Sequence, residues 1–140
     1  MPVLKITLLY AAILAIINLW LSWRAGKIRV ADKIMIGDGG NELLRARMRA
    51  HANFSEYVPL ALILMGLIEV HAGAALGLWV LGGLLAVARL AHPFGMERPA
   101  PNALRGGGIL VTYLVTIALI VWAIYVVFTP AGQPIDPRFA

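Results

Sequence analysis

At 140 residues the chain has room for one compact unit, and 61% of its residues are hydrophobic while 14% are charged. A soluble domain carries about 25% charged residues, so this composition, with a mean hydropathy of +0.83, points to lipid. The net charge of +5 does not describe a nucleic-acid surface, because the basic residues flank apolar spans without interleaved aromatics. The absence of cysteine excludes a disulfide framework, a thiolate metal site and a cysteine nucleophile.

The first apolar segment runs from about Pro2 to Trp23, relieved only by Lys5, Thr7, Asn18 and Ser22. It is too long for the apolar region of a signal peptide and lacks a small-residue cleavage site after it. Trp20 and Trp23 suit an interfacial aromatic belt. The stretch from Gly26 to Asp38 is basic and mixed, and Gly37-Asp38-Gly39-Gly40 signals a turn. A second helix is expected over 41–71, with Asn41 as its N-cap and Pro59 as a kink. At about 1.5 Å per residue it outruns a hydrocarbon core of roughly 30 Å, so its charged start must project beyond the membrane.

His71-Ala72-Gly73 reads as a tight connection to a third span over 74–92, where Gly73, Gly77, Gly82 and Gly83 allow close backbone approach. His92-Pro93-Phe94-Gly95 is expected to end that helix. A proline-rich loop follows to about Asn102, then a fourth span over 104–128 and an extended, exposed tail from Thr129 to Ala140. The expected fold is therefore all-α, an integral membrane four-helix bundle with one transmembrane domain over 1–140. Arg24, Lys27, Arg29, Lys33, Arg45, Arg47, Arg49, Arg89, Arg98 and Arg105 fall on or near one side, with only Lys5 and Arg138 on the other. The positive-inside rule then puts the first and third loops in the cytoplasm and both termini outside.

The most informative segment is Arg45 to Tyr57. At about 100° per residue, Arg45, Arg49, Asn53 and Glu56 share an arc of roughly 80°, while Arg47, His51 and Val58 point to the opposite side. Such groups are costly in lipid and need partners or a function there. Arg and Asn bind carboxylates and Glu receives an ammonium, so the stripe suits a small zwitterion at the membrane surface. The competing structural reading is an Arg49–Glu56 pair, or pairing with neighbouring helices, that only holds a bundle together. Arg89, His92 and Arg105 lie at the same depth on the third and fourth spans. Taken alone, the two arginines are better read as positive-inside anchors and Tyr113 as a packing residue with a hydroxyl–carbonyl bond, while His92 suits a helix-end cap as well as a ligand contact. The histidines His51, His71 and His92 show no metal-ligand spacing, and Glu69 is expected to be solvated near the far face. Neither Gly37–Gly40 nor Gly106–Gly108 sits in the setting of a phosphate loop.

The order of these residues resembles the MAPEG family, membrane-associated proteins in eicosanoid and glutathione metabolism. Arg49-Ala50-His51-Ala52-Asn53-Phe54-Ser55-Glu56-Tyr57-Val58-Pro59 resembles that family's second-helix signature. Arg89-Leu90-Ala91-His92 resembles its third-helix end, and Arg105, eight residues before Tyr113, its fourth-helix start. Gly37-Asp38-Gly39-Gly40 before Asn41-Glu42-Leu43-Leu44 is similar to the bacterial branch, which implies a bacterial inner membrane with periplasmic termini.

The resemblance implies a MAPEG-like homotrimer with glutathione bound between subunits near the cytoplasmic face. It would serve as co-substrate for transfer to, or reduction of, a small lipophilic electrophile, with no metal and no nucleic acid. It assigns glutathione binding to Arg49, Asn53 and Glu56, adds His51, Tyr57 and His92, and gives thiol activation to Arg105. Arg45 stands in for a further family arginine, at a position shifted by one from Ala46. Met96 replaces the tyrosine of eicosanoid-type members, and Gly106 offers no hydroxyl for serine-based activation. These departures count against an eicosanoid synthase more than against glutathione binding. A non-catalytic relative using its polar stripe for trimer assembly or lipid contact is the alternative. A transporter is disfavoured by four short spans without a broken helix pair.

Overall fold

A computed structural model describes residues 4–128, which form four helices: α1 Lys5–Ala31, α2 Glu42–Ala72, α3 Leu76–Met96 and α4 Ala103–Val127. The start of the first expected segment at Pro2, the expected tail from Thr129 to Ala140 and Arg138 lie outside the described residues. All four helices are long and apolar enough to cross a membrane. In the bundle α1 packs on α2 and α3, and α4 packs on α3 and α2. The core is apolar, built from side chains such as Leu14 and Leu21 of α1, Ala61 and Met65 of α2, Leu85 of α3 and Leu119 of α4. Large apolar side chains also face outward, among them Leu8, Ile16, Leu60, Ile63 and Ile117. That inversion suits a bundle solvated by lipid tails.

Helix α1 runs eight residues past Trp23, where a mixed loop was expected. Two contacts hold the extension. Arg24 lies over the Trp20 ring, 4.5 Å from its centroid, and is ion-paired with Glu97 at the end of α3. Arg47 of α2 reaches the same carboxylate at 2.8 Å and donates to the Arg24 carbonyl at 3.0 Å. Charged residues that composition assigned to a loop thus tie three helices together.

Helix α3 starts two residues later than expected and continues through His92 and Pro93 to Met96. Proline costs a helix one N–H and crowds the carbonyl four residues back, but Pro93 and Gly95 are buried against their neighbours and exposed Phe94 packs on α1. Phe94 lies 5.6 Å from the Trp20 ring, and a side chain at Gly95 would meet the Arg105 backbone at 2.2 Å. Helix α2 likewise passes through Pro59 without interruption.

Helix ends explain several other polar residues. Asn41 caps α2 by accepting from the Leu44 amide at 2.9 Å, as its position suggested. Asn102 caps α4 through the Arg105 amide at 2.9 Å. The first residue before α1, Leu4, offers no side-chain cap. Glu69 of α2 supplies it instead, accepting from the amides of Ile6 at 2.9 Å and Thr7 at 2.8 Å. This corrects the expectation of a solvated Glu69, whose exposure is 1%. Gly77 and Gly82 make room for the Trp122 and Tyr10 rings, and Gly83 for the Tyr10 hydroxyl, and not for the neighbouring backbone expected there. Gly73 does not: nothing lies within 4 Å of where its Cβ would be, and its φ of +77° makes the turn that ends α2.

Candidate functional site

The α1–α2 and α3–α4 loops lie at one end of the bundle. There a cavity of about 410 Å³ opens on the flank formed by α2, α3 and α4. Its volume lies within the range of about 300–1,000 Å³ usual for small-molecule sites. Arg49 and Asn53 of α2, His92 of α3 and Asn102 and Arg105 of α4's start supply its polar lining. Met96, Pro101 and Ile109 add apolar wall. Three separate spans therefore deliver Arg49, Asn53, His92 and Arg105, all singled out in the sequence, to one chamber.

Helical geometry sets each position. Arg49 and Asn53 are one turn apart on α2, and Glu56, a further turn on, returns to pair with Arg49 at 3.8 Å. Both members of that pair are exposed, so it contributes little by itself and leaves Arg49 free to exchange partners. His92 is packed against Gly108, where a Cβ would come within 2.8 Å of the His92 Cβ. Its Nδ1 lies 3.1 Å from the Arg105 carbonyl, which can only accept. Nδ1 therefore carries the hydrogen, and in the neutral ring Nε2 is left as an acceptor. Arg105 itself is exposed, and among the described residues it has no carboxylate within ion-pair distance.

The remaining expected site residues are not brought to this cavity within one chain. Arg45 turns to the α1–α2 turn and pairs with Asp38. With the Gly40 amide, that guanidinium holds the Asp38 carboxyl below the usual carboxylate value. His51 faces α1, with Nε2 2.9 Å from Asn18 Oδ1, and borders a second groove of about 370 Å³ with Ser22, Arg29 and Ser55. Tyr57 meets Tyr113, hydroxyl to hydroxyl at 3.1 Å and ring to ring at 5.4 Å. Tyr113 thus bonds a second tyrosine and not the backbone carbonyl expected for it.

One residue was underrated. Arg89, whose position suggests an anchoring cation, is 1% exposed and donates to Asn53 Oδ1 at 2.9 Å and to the Gly108 carbonyl at 3.3 Å. Its depth was hidden by the misplaced helix end. With the helix ending near His92, as the sequence suggests, Arg89 lies only about 4.5 Å from the end; because α3 continues to Met96 it lies roughly 10 Å inside. Among the described residues no group of three or more His, Asp or Glu is placed to hold a metal.

Comparison with known proteins agrees with this architecture. The model of the MAPEG family matches residues 7–125. The inner membrane protein YecN of Escherichia coli strain K12 is 30% identical over 92 residues, which cover 66% of this chain and 70% of that protein. The protein of the same name from Escherichia coli O6:H1 is similar to the same extent. The chain belongs to the MAPEG family and is a multi-pass membrane protein.

Proposed function

We propose that this MAPEG-family protein is a glutathione-dependent membrane enzyme, a transferase or peroxidase acting on lipophilic electrophiles. Glutathione would lie at the subunit interface of a homotrimer, on the cytoplasmic side, in a bacterial inner membrane with both termini periplasmic. The observation that carries the proposal is the meeting of Arg49, Asn53, His92 and Arg105 from three spans in one cavity. Cationic and amide donors recognise the carboxylates of a charged tripeptide, and Arg49 is the group best placed to hold one by a bidentate contact. Glu56, beside it, suits the ammonium.

Arg105 would act on the sulfur. A free thiol has a pKa of about 8.5, and a guanidinium without a carboxylate partner lowers it by favouring the thiolate. In transfer, the thiolate sulfur bonds to the electrophilic carbon and a leaving group departs with its electron pair. In reduction, two glutathione molecules supply two electrons to a hydroperoxide, giving the disulfide, an alcohol and water. The apolar outer faces of the helices admit an electrophile dissolved in lipid.

Trimer formation would also give His51 a role. The groove beside His51 and the cavity lined by Arg105 lie on different flanks at the same end of the bundle. Threefold packing would let the groove of one subunit face the cavity of its neighbour, completing one chamber. Tyr57 and Arg45 would then border it.

Calorimetry on detergent-solubilised protein tests the proposal. Glutathione should bind, and Arg49→Ala should weaken binding at least tenfold, about 1.4 kcal/mol. A wild type giving neither heat nor thermal stabilisation at millimolar glutathione refutes it. The exposed Arg49–Glu56 pair favours one other reading, a polar stripe used for assembly by a non-catalytic relative. In that case Glu56→Ala dissociates the oligomer, and Arg105→Ala leaves any thiol-dependent turnover unchanged.

A further inference from the structure

We propose that Arg89 is a positioning residue that fixes the Asn53 side-chain amide with its NH₂ group toward the cavity, so that the site presents donors and selects an anionic acceptor group. The inference rests on the glutathione-binding proposal for its ligand, but its geometry stands independently. Arg89 is fully buried, and among the described residues no carboxylate lies within ion-pair distance of it. Its Nη1 donates to Asn53 Oδ1 at 2.9 Å and its Nη2 to the Gly108 carbonyl at 3.3 Å, while Nε has no partner.

An asparagine amide has one oxygen, which accepts, and one NH₂, which only donates. A guanidinium can only donate, so its contact with Asn53 admits a single orientation of that amide. The oxygen turns inward to Arg89, and the NH₂ is what remains for the cavity that Asn53 lines. Reversing the amide would oppose NH₂ to a buried guanidinium and strand a charge-assisted bond. Arg49 and Arg105, which line the same cavity from α2 and α4, are also donors, so the cavity favours a carboxylate or carbonyl oxygen over an ammonium at the Asn53 position. The buried cation behind Asn53 adds to that preference, because among the described residues no anion neutralises it and charge interactions are strong away from water.

A double-mutant cycle on the full-length protein in detergent tests this, with reduced glutathione as the titrant. Arg89→Met and Asn53→Ala should each weaken binding at least tenfold, and the double variant should lose no more than the larger single loss. Losses that multiply, or an Arg89→Met variant that binds as wild type, overturn the proposal. If Arg89→Met does not fold, Asn53→Asp serves in its place. Its carboxylate would pair with Arg89 and turn only acceptor oxygen to the cavity, so glutathione binding falls at least tenfold while thermal stability is kept or raised. Asn53→Asp that binds glutathione as wild type overturns the proposal. Should wild type bind no glutathione, the functional proposal fails separately, and the orientation is read from the side-chain amide signals of ¹⁵N-asparagine-labelled protein. Asn53 amide protons that shift in Arg89→Lys support the fixed orientation, and signals that do not move overturn it.

Discussion

Removing the Glu69 carboxylate should loosen the start of α1. The side chain accepts from Ile6 and Thr7 at 2.9 and 2.8 Å, at a helix start with no cap of its own. Hydrogen bonds to a charged group contribute about 1.5–3 kcal/mol each, so two bonds set a ceiling of roughly 3–6 kcal/mol. Helix-dipole attraction acts in the same direction. Water entering at this end of the bundle would recover part of the loss, leaving about 2–4 kcal/mol for Glu69→Ala. Glu69→Gln keeps one acceptor but opposes its NH₂ to the other amide, and should cost about 1–3 kcal/mol. Reversible unfolding in mixed micelles gives the energies, and hydrogen exchange at Ile6 and Thr7 locates them. A Glu69→Ala protein within about 0.5 kcal/mol of wild type, the range of ordinary surface changes, would refute the capping role.

Other perturbations separate architecture from site. Gly108→Ala puts a methyl 2.8 Å from the His92 Cβ and 3.1 Å from the Ala88 carbonyl, so melting should show a loss of about 1–3 kcal/mol from overpacking. Glu97→Gln removes the anion shared by Arg24 and Arg47 and should lower stability by about 1–3 kcal/mol in the same assay, without changing ligand selectivity. The Asp38 carboxyl is held below its ordinary value by Arg45 and the Gly40 amide, so its contribution is present above about pH 4 and is lost as pH falls through the lower folded value. Gly40 amide exchange corrected for intrinsic pH effects should therefore rise in acid, and Asp38→Asn should abolish that step.

Periodicity made the helices and their order legible, since four apolar runs separated by turn signals leave few alternatives. Their ends were less legible. Arg24 and Lys27 look like loop residues to a composition count, yet they lie on α1 because Glu97 and the Trp20 and Trp23 rings receive them. Pro93 looked like a terminator, and the packing of Phe94 and Gly95 carried the helix past it. The cavity was legible as far as Arg49, Asn53, His92 and Arg105 because helical spacing and shared depth are one-dimensional facts. Pairings between helices are not. Nothing in the spacing said that Arg45 would turn to Asp38, that Tyr113 would meet Tyr57, or that Arg89 would sit behind Asn53.

Polar residues at the loop end divide by whether their bonding capacity is spent inside the bundle. Arg24, Arg47 and Glu97 satisfy one another inside the bundle, as do His51 and Asn18, while Arg45 and Asp38 pair at the surface of the turn. Loss of the interior groups should appear first as lowered stability. Arg105, with no carboxylate partner among the described residues, and Arg49, held only by an exposed pair at 3.8 Å, keep capacity that faces the cavity. Their loss should appear in binding with little change in melting, because no interior bond breaks. Asn53 belongs to both classes, its oxygen committed to Arg89 and its NH₂ unspent, so a site of this kind is recognised by what its neighbours leave unsatisfied. A stripe of charge on a helical wheel is common to both classes and cannot separate them.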